Sequence, residues 1–125
     1  MSDFTTEASV CFWIKINSWN TAWATYFQAG IGTAPWASYI MGFLRNNTNS
    51  TCCFTISSAS TSSQVSYLTP SLNLEQWYHI GLVYKTGHAI IYVDGVQTSD
   101  NTTSIVPNFA GISVITLGNV NANSY

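Results

Sequence analysis

Charge is the scarcest property of this chain. Three Lys or Arg and five Asp or Glu among 125 residues make 6% charged side chains and a net charge of −2, where soluble domains carry roughly 25%. So few cations leave no basic footprint to neutralise phosphates, which excludes nucleic acid as a partner and argues against anionic membrane surfaces. Long apolar runs are missing as well: none approaches the roughly eighteen residues of a membrane-spanning helix. The opening MSDFTTEA has no basic stretch followed by an apolar one, so no secretion route is visible. The three cysteines cannot all pair, and the neighbours Cys52 and Cys53 would point to opposite faces of a strand, so a disulfide framework is not expected. Cys11, among apolar residues, reads as a small buried hydrophobe. His79 and His88 have no zinc-ligand spacing to any cysteine pair. Helical spacing with caps is also absent.

What is present is apolar and neutral. Apolar residues make up 46% of the chain and aromatics 14%, while 42 residues are Ser, Thr or Asn. Hydroxyls and amides must therefore keep the surface wet. The length suits one domain, residues 1–125, able to bury roughly two thirds of its unfolded surface without staples. Hydrophobic residues alternate with a period of two, the mark of half-buried strands. In 8–16 (ASVCFWIKI) Val10, Phe12, Ile14 and Ile16 form one face, Cys11, Trp13 and Lys15 the other. Further strands are predicted at 24–30, 38–45, 51–57 and 64–68, separated by Gly, Pro, Asn and Ser. The second half reads as a meander: 76–85, a Thr86–Gly87 turn, 88–93, an Asp94–Gly95 turn and 96–99. A polar loop at 101–104 and a final strand at 113–118 complete an all-β chain.

These residues resemble a known family. The stretches ASVCFWIKINSW, LNLEQWYHIGLVYKTGHAIIYVDGVQTS and SVITLGN are similar, in order and spacing over about 110 residues, to the laminin-G-like and pentraxin-like members of the concanavalin A-like superfamily. The resemblance implies a two-sheet antiparallel jelly-roll β-sandwich. By position it makes Trp13 and Trp77 core tryptophans. The family's usual first strand and its closing strand are not found. The chain is then either a fragment or a domain whose sheet a neighbouring chain completes, the fragment being favoured. The resemblance further places the domain on a virion or other extracellular surface, as in phage tail and fibre proteins.

Catalysis is not expected. Glycoside hydrolysis needs two carboxylates flanking the bond, and Asp3, Glu7, Glu75, Asp94 and Asp100 show no E-x-D-x-x-E arrangement of the superfamily's glucanases. The chain is expected not to be an enzyme, with a hydrolase as a remote alternative. No cofactor is required. Calcium, which the resemblance allows, would draw on Asp100 and Asn101 in a loop. Sugar recognition needs an aromatic face beside amides or hydroxyls. Trp19, Trp23, Trp36 and Tyr39 supply it among Asn20, Thr21, Gln28, Thr33 and Ser38, with Trp19 and Trp36 the best exposed candidates. The reading is thus a binding or adhesion module whose ligand is a glycan or surface receptor. Its alternative is a structural module, in which the same aromatics bury a contact with a neighbouring domain or another copy.

Overall fold

The computed structural model describes residues 7–19, 24–31, 39–46, 50–58 and 64–118. Nine strands follow one another: β1 (Glu7–Lys15), β2 (Thr25–Gly30), β3 (Tyr39–Arg45), β4 (Cys52–Ser57), β5 (Gln64–Leu68), β6 (Trp77–Lys85), β7 (His88–Val93), β8 (Val96–Thr102) and β9 (Val114–Leu117). They form two antiparallel sheets, one of four strands in the order β1-β6-β7-β8 and one of five in the order β5-β4-β3-β2-β9. The strands match the expected ones closely. The main difference is that β8 runs on to Thr102, through residues read as loop.

Turn chemistry explains the meander. Thr86 and Gly87 have φ of 43° and 79°, Asp94 and Gly95 of 52° and 80°, the two positive values that a type I′ hairpin turn requires. Asp94 secures its turn twice: its N–H donates to the His79 carbonyl at 2.8 Å, and its Oδ1 accepts the His79 N–H at 2.8 Å. Aspartate tolerates the left-handed conformation because its side chain bonds locally in this way.

The core lies between the sheets. β6 directs Tyr78, Ile80, Leu82 and Tyr84 inward and buries all four. They meet Phe43, Phe54, Ile56 and Phe27 of the other layer in one cluster. Phe12 of β1 locks the layers together, stacking on Phe27 of β2 at 5.9 Å and meeting Phe43 of β3 edge-on at 5.6 Å. Aromatic pairs of this kind add about 0.5–1.5 kcal/mol each beyond their buried area. Beyond β8 the chain crosses back, burying Phe109 against Tyr84 at 5.5 Å.

The two sheets differ on their outer faces. Every residue of β4 is buried, so Cys53, Thr55 and Ser57, which point away from the core, are closed to solvent too. The Thr55 and Ser66 hydroxyls bond to each other there at 3.0 Å. The outer face of the four-stranded sheet is open. Of the seven described charged residues, Glu7, Lys15, Glu75, Lys85, Asp94 and Asp100 all sit on that sheet or its turns, and Arg45 alone belongs to the other layer.

The cysteines divide along the same line. Cys52 and Cys53 are buried, as the occupants of the two faces of β4, whereas Cys11 is exposed. The expectation of a buried Cys11 is therefore corrected: alternation places it beside Trp13 on the open face. Burial, then the neighbouring Cys53, pushes the Cys52 thiol far above its ordinary range; burial pushes Cys53 up as well. A raised pKa keeps the thiol protonated and unreactive at neutral pH. A disulfide-exchange reagent at pH 8 should accordingly titrate one thiol in the native protein, Cys11, and all three in denaturant; rapid native reaction of two or more would contradict the burial of β4.

Candidate functional site

The open outer face is where aromatic side chains meet water. Trp13 is 65% exposed and Trp77 59%, unusual values for the most costly side chain to leave in water. Their position follows from register. Trp13 pairs with His79 and Lys15 with Trp77, so the two tryptophans are diagonal neighbours on one face, within reach of each other's rings. The His79 ring lies against Trp13, with centroids 5.2 Å apart and planes at 52°. One residue pair further along, Gly81 stands opposite Tyr92 of β7. A Cβ on Gly81 would come to 3.3 Å from the Tyr92 Cβ, so the glycine lets Tyr92 lie low on the sheet. Tyr92 in turn donates its hydroxyl to Gln97 Oε1 at 3.3 Å.

The result is an aromatic ledge of Trp77, Trp13, His79 and Tyr92, running obliquely over β1, β6 and β7. Polar groups border it: the Lys15–Glu75 ion pair at 2.8 Å at one side, Asp94 beside His79, and Gln97 beyond Tyr92. Flat apolar rings ringed by hydrogen-bonding groups are what the C–H face and the hydroxyls of a pyranose require together.

This corrects the assignment of Trp13 and Trp77 to the core. Alternation correctly separated Trp13 from Val10, Phe12 and Ile14, but it does not say which face is inner when both carry apolar groups. The distinguishing signal was charge: Lys15 shares the Trp13 face, and Lys85 the Trp77 face.

The candidates placed between residues 17 and 39 fare differently. Trp23 and Trp36 lie outside the described residues, and Tyr39 opens β3 with its side chain outside them. Trp19 is half-buried and packs against the core instead of standing free, with the Arg45 guanidinium 5.6 Å from its ring centre. That cation occupies a face a sugar would need. Nearby, burial and then Cys52 push the Tyr26 phenol up to about 12, so it stays neutral.

The calcium pair is not brought together. Asp100 and Asn101 are successive residues of β8 and not of a loop, so their side chains leave the sheet on opposite faces. Asp100 Oδ1 is engaged by His88 Nδ1 at 2.8 Å. These two residues do not fit a shared cation, and among the described residues no group of three or more His, Cys, Asp or Glu could hold a metal.

Comparison with known proteins agrees with this architecture. A family model described as the concanavalin A-like lectin/glucanases superfamily matches residues 2–125, whereas no curated protein matches. Among solved structures, a mutant of Trypanosoma rangeli sialidase displaying trans-sialidase activity is similar at 17% identity with a TM-score of 0.63, the match covering 97% of this chain and 18% of that one. The expectation that the chain is not an enzyme is overturned by this likeness, since the fold occurs within a protein that is one. At that identity the likeness establishes the fold, and the activity stays with the sialidase.

The ledge makes a stability prediction. Because Trp13 and Trp77 project into water, Trp13→Ala and Trp77→Ala should each cost no more than about 1 kcal/mol in urea unfolding, against about 3–5 kcal/mol for the fully buried Phe43→Ala or Phe54→Ala. Tryptophan losses as large as the phenylalanine losses would return those rings to the core. Two face-to-face antiparallel sheets, their register and the match across residues 2–125 lead to one assignment: the chain belongs to the laminin-G-like family of the concanavalin A-like lectin/glucanases superfamily.

Proposed function

We propose that this domain is a carbohydrate-binding module of a larger extracellular or virion-surface protein, and that it holds its glycan on the aromatic ledge of the four-stranded sheet. The observation that carries the reading is the exposed pair Trp13 and Trp77 on the open face of a fold whose superfamily is described as lectins and glucanases. Leaving two indoles in water forgoes several kcal/mol of burial, since fully burying a large side chain is worth about 1.5–3 kcal/mol. A ligand that covers them recovers that energy. Lys15, the cation that borders the ledge, is already neutralised by Glu75, which suits a neutral sugar better than an acidic one.

The ledge is elongated and, among the described residues, has no enclosing wall, which supports binding along a chain of sugar units in preference to enclosing a single terminal unit. Trp23, Trp36 and Tyr39 extend the proposal as a second aromatic group, from sequence alone. Binding is the step proposed; it neither needs nor excludes a hydrolytic activity elsewhere in the parent protein.

Affinity electrophoresis in gels containing xylan, mixed-linkage glucan or mannan, followed by tryptophan fluorescence with the retarding polymer, tests the reading. At least one polymer should retard the protein, and Trp13→Ala or Trp77→Ala should each weaken binding by about tenfold or more, corresponding to a stacking loss of about 1.4 kcal/mol, with unfolding midpoints nearly unchanged. Retardation that both substitutions leave intact would move the site away from the ledge.

A further inference from the structure

The aromatic groups of the ledge are spaced, and the spacing sets a length. Trp77 and Tyr92 mark the two ends, with Trp13 and the His79 ring packed on it between them. Tyr92 stands opposite Gly81, four residues along β6 from Trp77 and one strand across. Strand geometry makes that about 14 Å between the Cα atoms of the two ends. A pyranose and its bridging oxygen, built from single bonds of about 1.5 Å, advance a chain by about 5 Å. Covering both ends therefore takes at least three successive units.

Two local departures from a regular sheet converge on Tyr92. The first is Gly81. A Cβ there would meet the Tyr92 Cβ at 3.3 Å and the ring carbons Cδ2 and Cγ at 3.7 and 3.8 Å, so the ring leans over the glycine. The φ of Gly81 lies outside the left-handed region and its pairing is regular on both sides, so no turn or bulge asks for glycine. Inside a strand a glycine weakens the sheet, whereas a β-branched residue would suit the strand and lift the ring. The second is a bulge in β8. The register shifts between Ile91 and Tyr92, whose partners are Ser99 and Gln97. Regular pairing would set Thr98 opposite Tyr92; the bulge sets Gln97 there instead, and Gln97 Oε1 accepts the Tyr92 hydroxyl at 3.3 Å. Bulges re-aim side chains beside functional sites in this way. The ring is thus held down on the sheet from both neighbouring strands, half-buried, with one face turned outward.

We infer that Tyr92 is the far subsite of the ledge and that Gly81 admits a sugar unit onto it, so that the ligand is a linear chain held by three or more successive units. This rests on the ledge being the glycan site and adds the shortest ligand that fills it. The series has ends: the Lys15–Glu75 pair beside Trp77, and the aliphatic Val83–Ile90 row beyond Tyr92. A disaccharide, about 10 Å long by the same bond lengths, covers Trp77 and Trp13 without reaching Tyr92. A tetrasaccharide reaches all three. On its way it passes Cys11, which is exposed and stands opposite Gly81.

Isothermal titration of the full chain with xylo-, cello- and manno-oligosaccharides of two and four units tests the length. In at least one series the tetrasaccharide should bind about tenfold or more tighter than the disaccharide. Gly81→Val and Tyr92→Ala, each confirmed folded by its unfolding midpoint, should cut that gain to about threefold or less, which is what the three registers of a tetrasaccharide on a two-unit site supply. In the unaltered protein, saturating tetrasaccharide should slow iodoacetamide alkylation of the Cys11 thiol by about fivefold or more, an effect of access alone. A tetrasaccharide gain of threefold or less, a tenfold gain kept by both variants, or alkylation of Cys11 unchanged by bound tetrasaccharide would each overturn the subsite and leave the ledge standing. The ledge fails separately, and the subsite with it, if no series binds at either length or if Trp13→Ala and Trp77→Ala both leave binding intact.

Discussion

Everything in this domain depends on one geometric constraint, that successive side chains of a strand leave on opposite faces. β6 shows it most clearly. Burying Tyr78, Ile80, Leu82 and Tyr84 obliges Trp77, His79, Gly81 and Val83 to face outward. The pairing of β6 with β1 then fixes Trp13 opposite His79, and its pairing with β7 fixes Tyr92 opposite Gly81. The ledge is thus the other side of the core: the apolar gain that holds the layers together also presents the aromatics to water. A one-residue slip in the β1–β6 register would exchange Trp13 for Phe12 and destroy both at once.

The strands were legible in the sequence because alternation, β-branched and aromatic residues and turn chemistry agreed with one another. Asp94–Gly95 is the best case, since the same pair sets the hairpin and bonds back to His79. The faces were less legible. Where both sides of a strand carry apolar groups, as in β1, the period of two gives the partition and leaves its orientation open, so it does not correct the core positions that the family resemblance implies for Trp13 and Trp77, or the buried one that apolar neighbours suggest for Cys11. Asn101 and Thr102 were read as loop because Asn and Thr are frequent there, but hairpin pairing with β7 overrides that preference and separates Asp100 from Asn101. Trp19 was read as exposed from its neighbours Ser18 and Asn20; its contact with Arg45 joins residues distant in sequence, which no local pattern reports.

The structure separates two surfaces with different physical character. The outer face of the four-stranded sheet gathers most of the described charge and two exposed indoles, and it is the surface on which a glycan is proposed to bind. β9 instead exposes the aliphatic side chains of Ile115 and Leu117. The same fold within a sialidase shows that such a domain can belong to a much longer enzyme, so the chemistry of the whole protein is a separate question from what this domain touches.

Hydroxyl-radical footprinting read by mass spectrometry tests the inside–outside assignment most directly, because Trp77 and Tyr78 are adjacent in sequence, are both readily oxidised when exposed, and occupy opposite faces. The account predicts rapid oxidation of Trp13 and Trp77, with Tyr78 and Tyr84 protected until the domain unfolds. Protected tryptophans beside readily oxidised Tyr78 and Tyr84 would invert the sheet and remove the ledge.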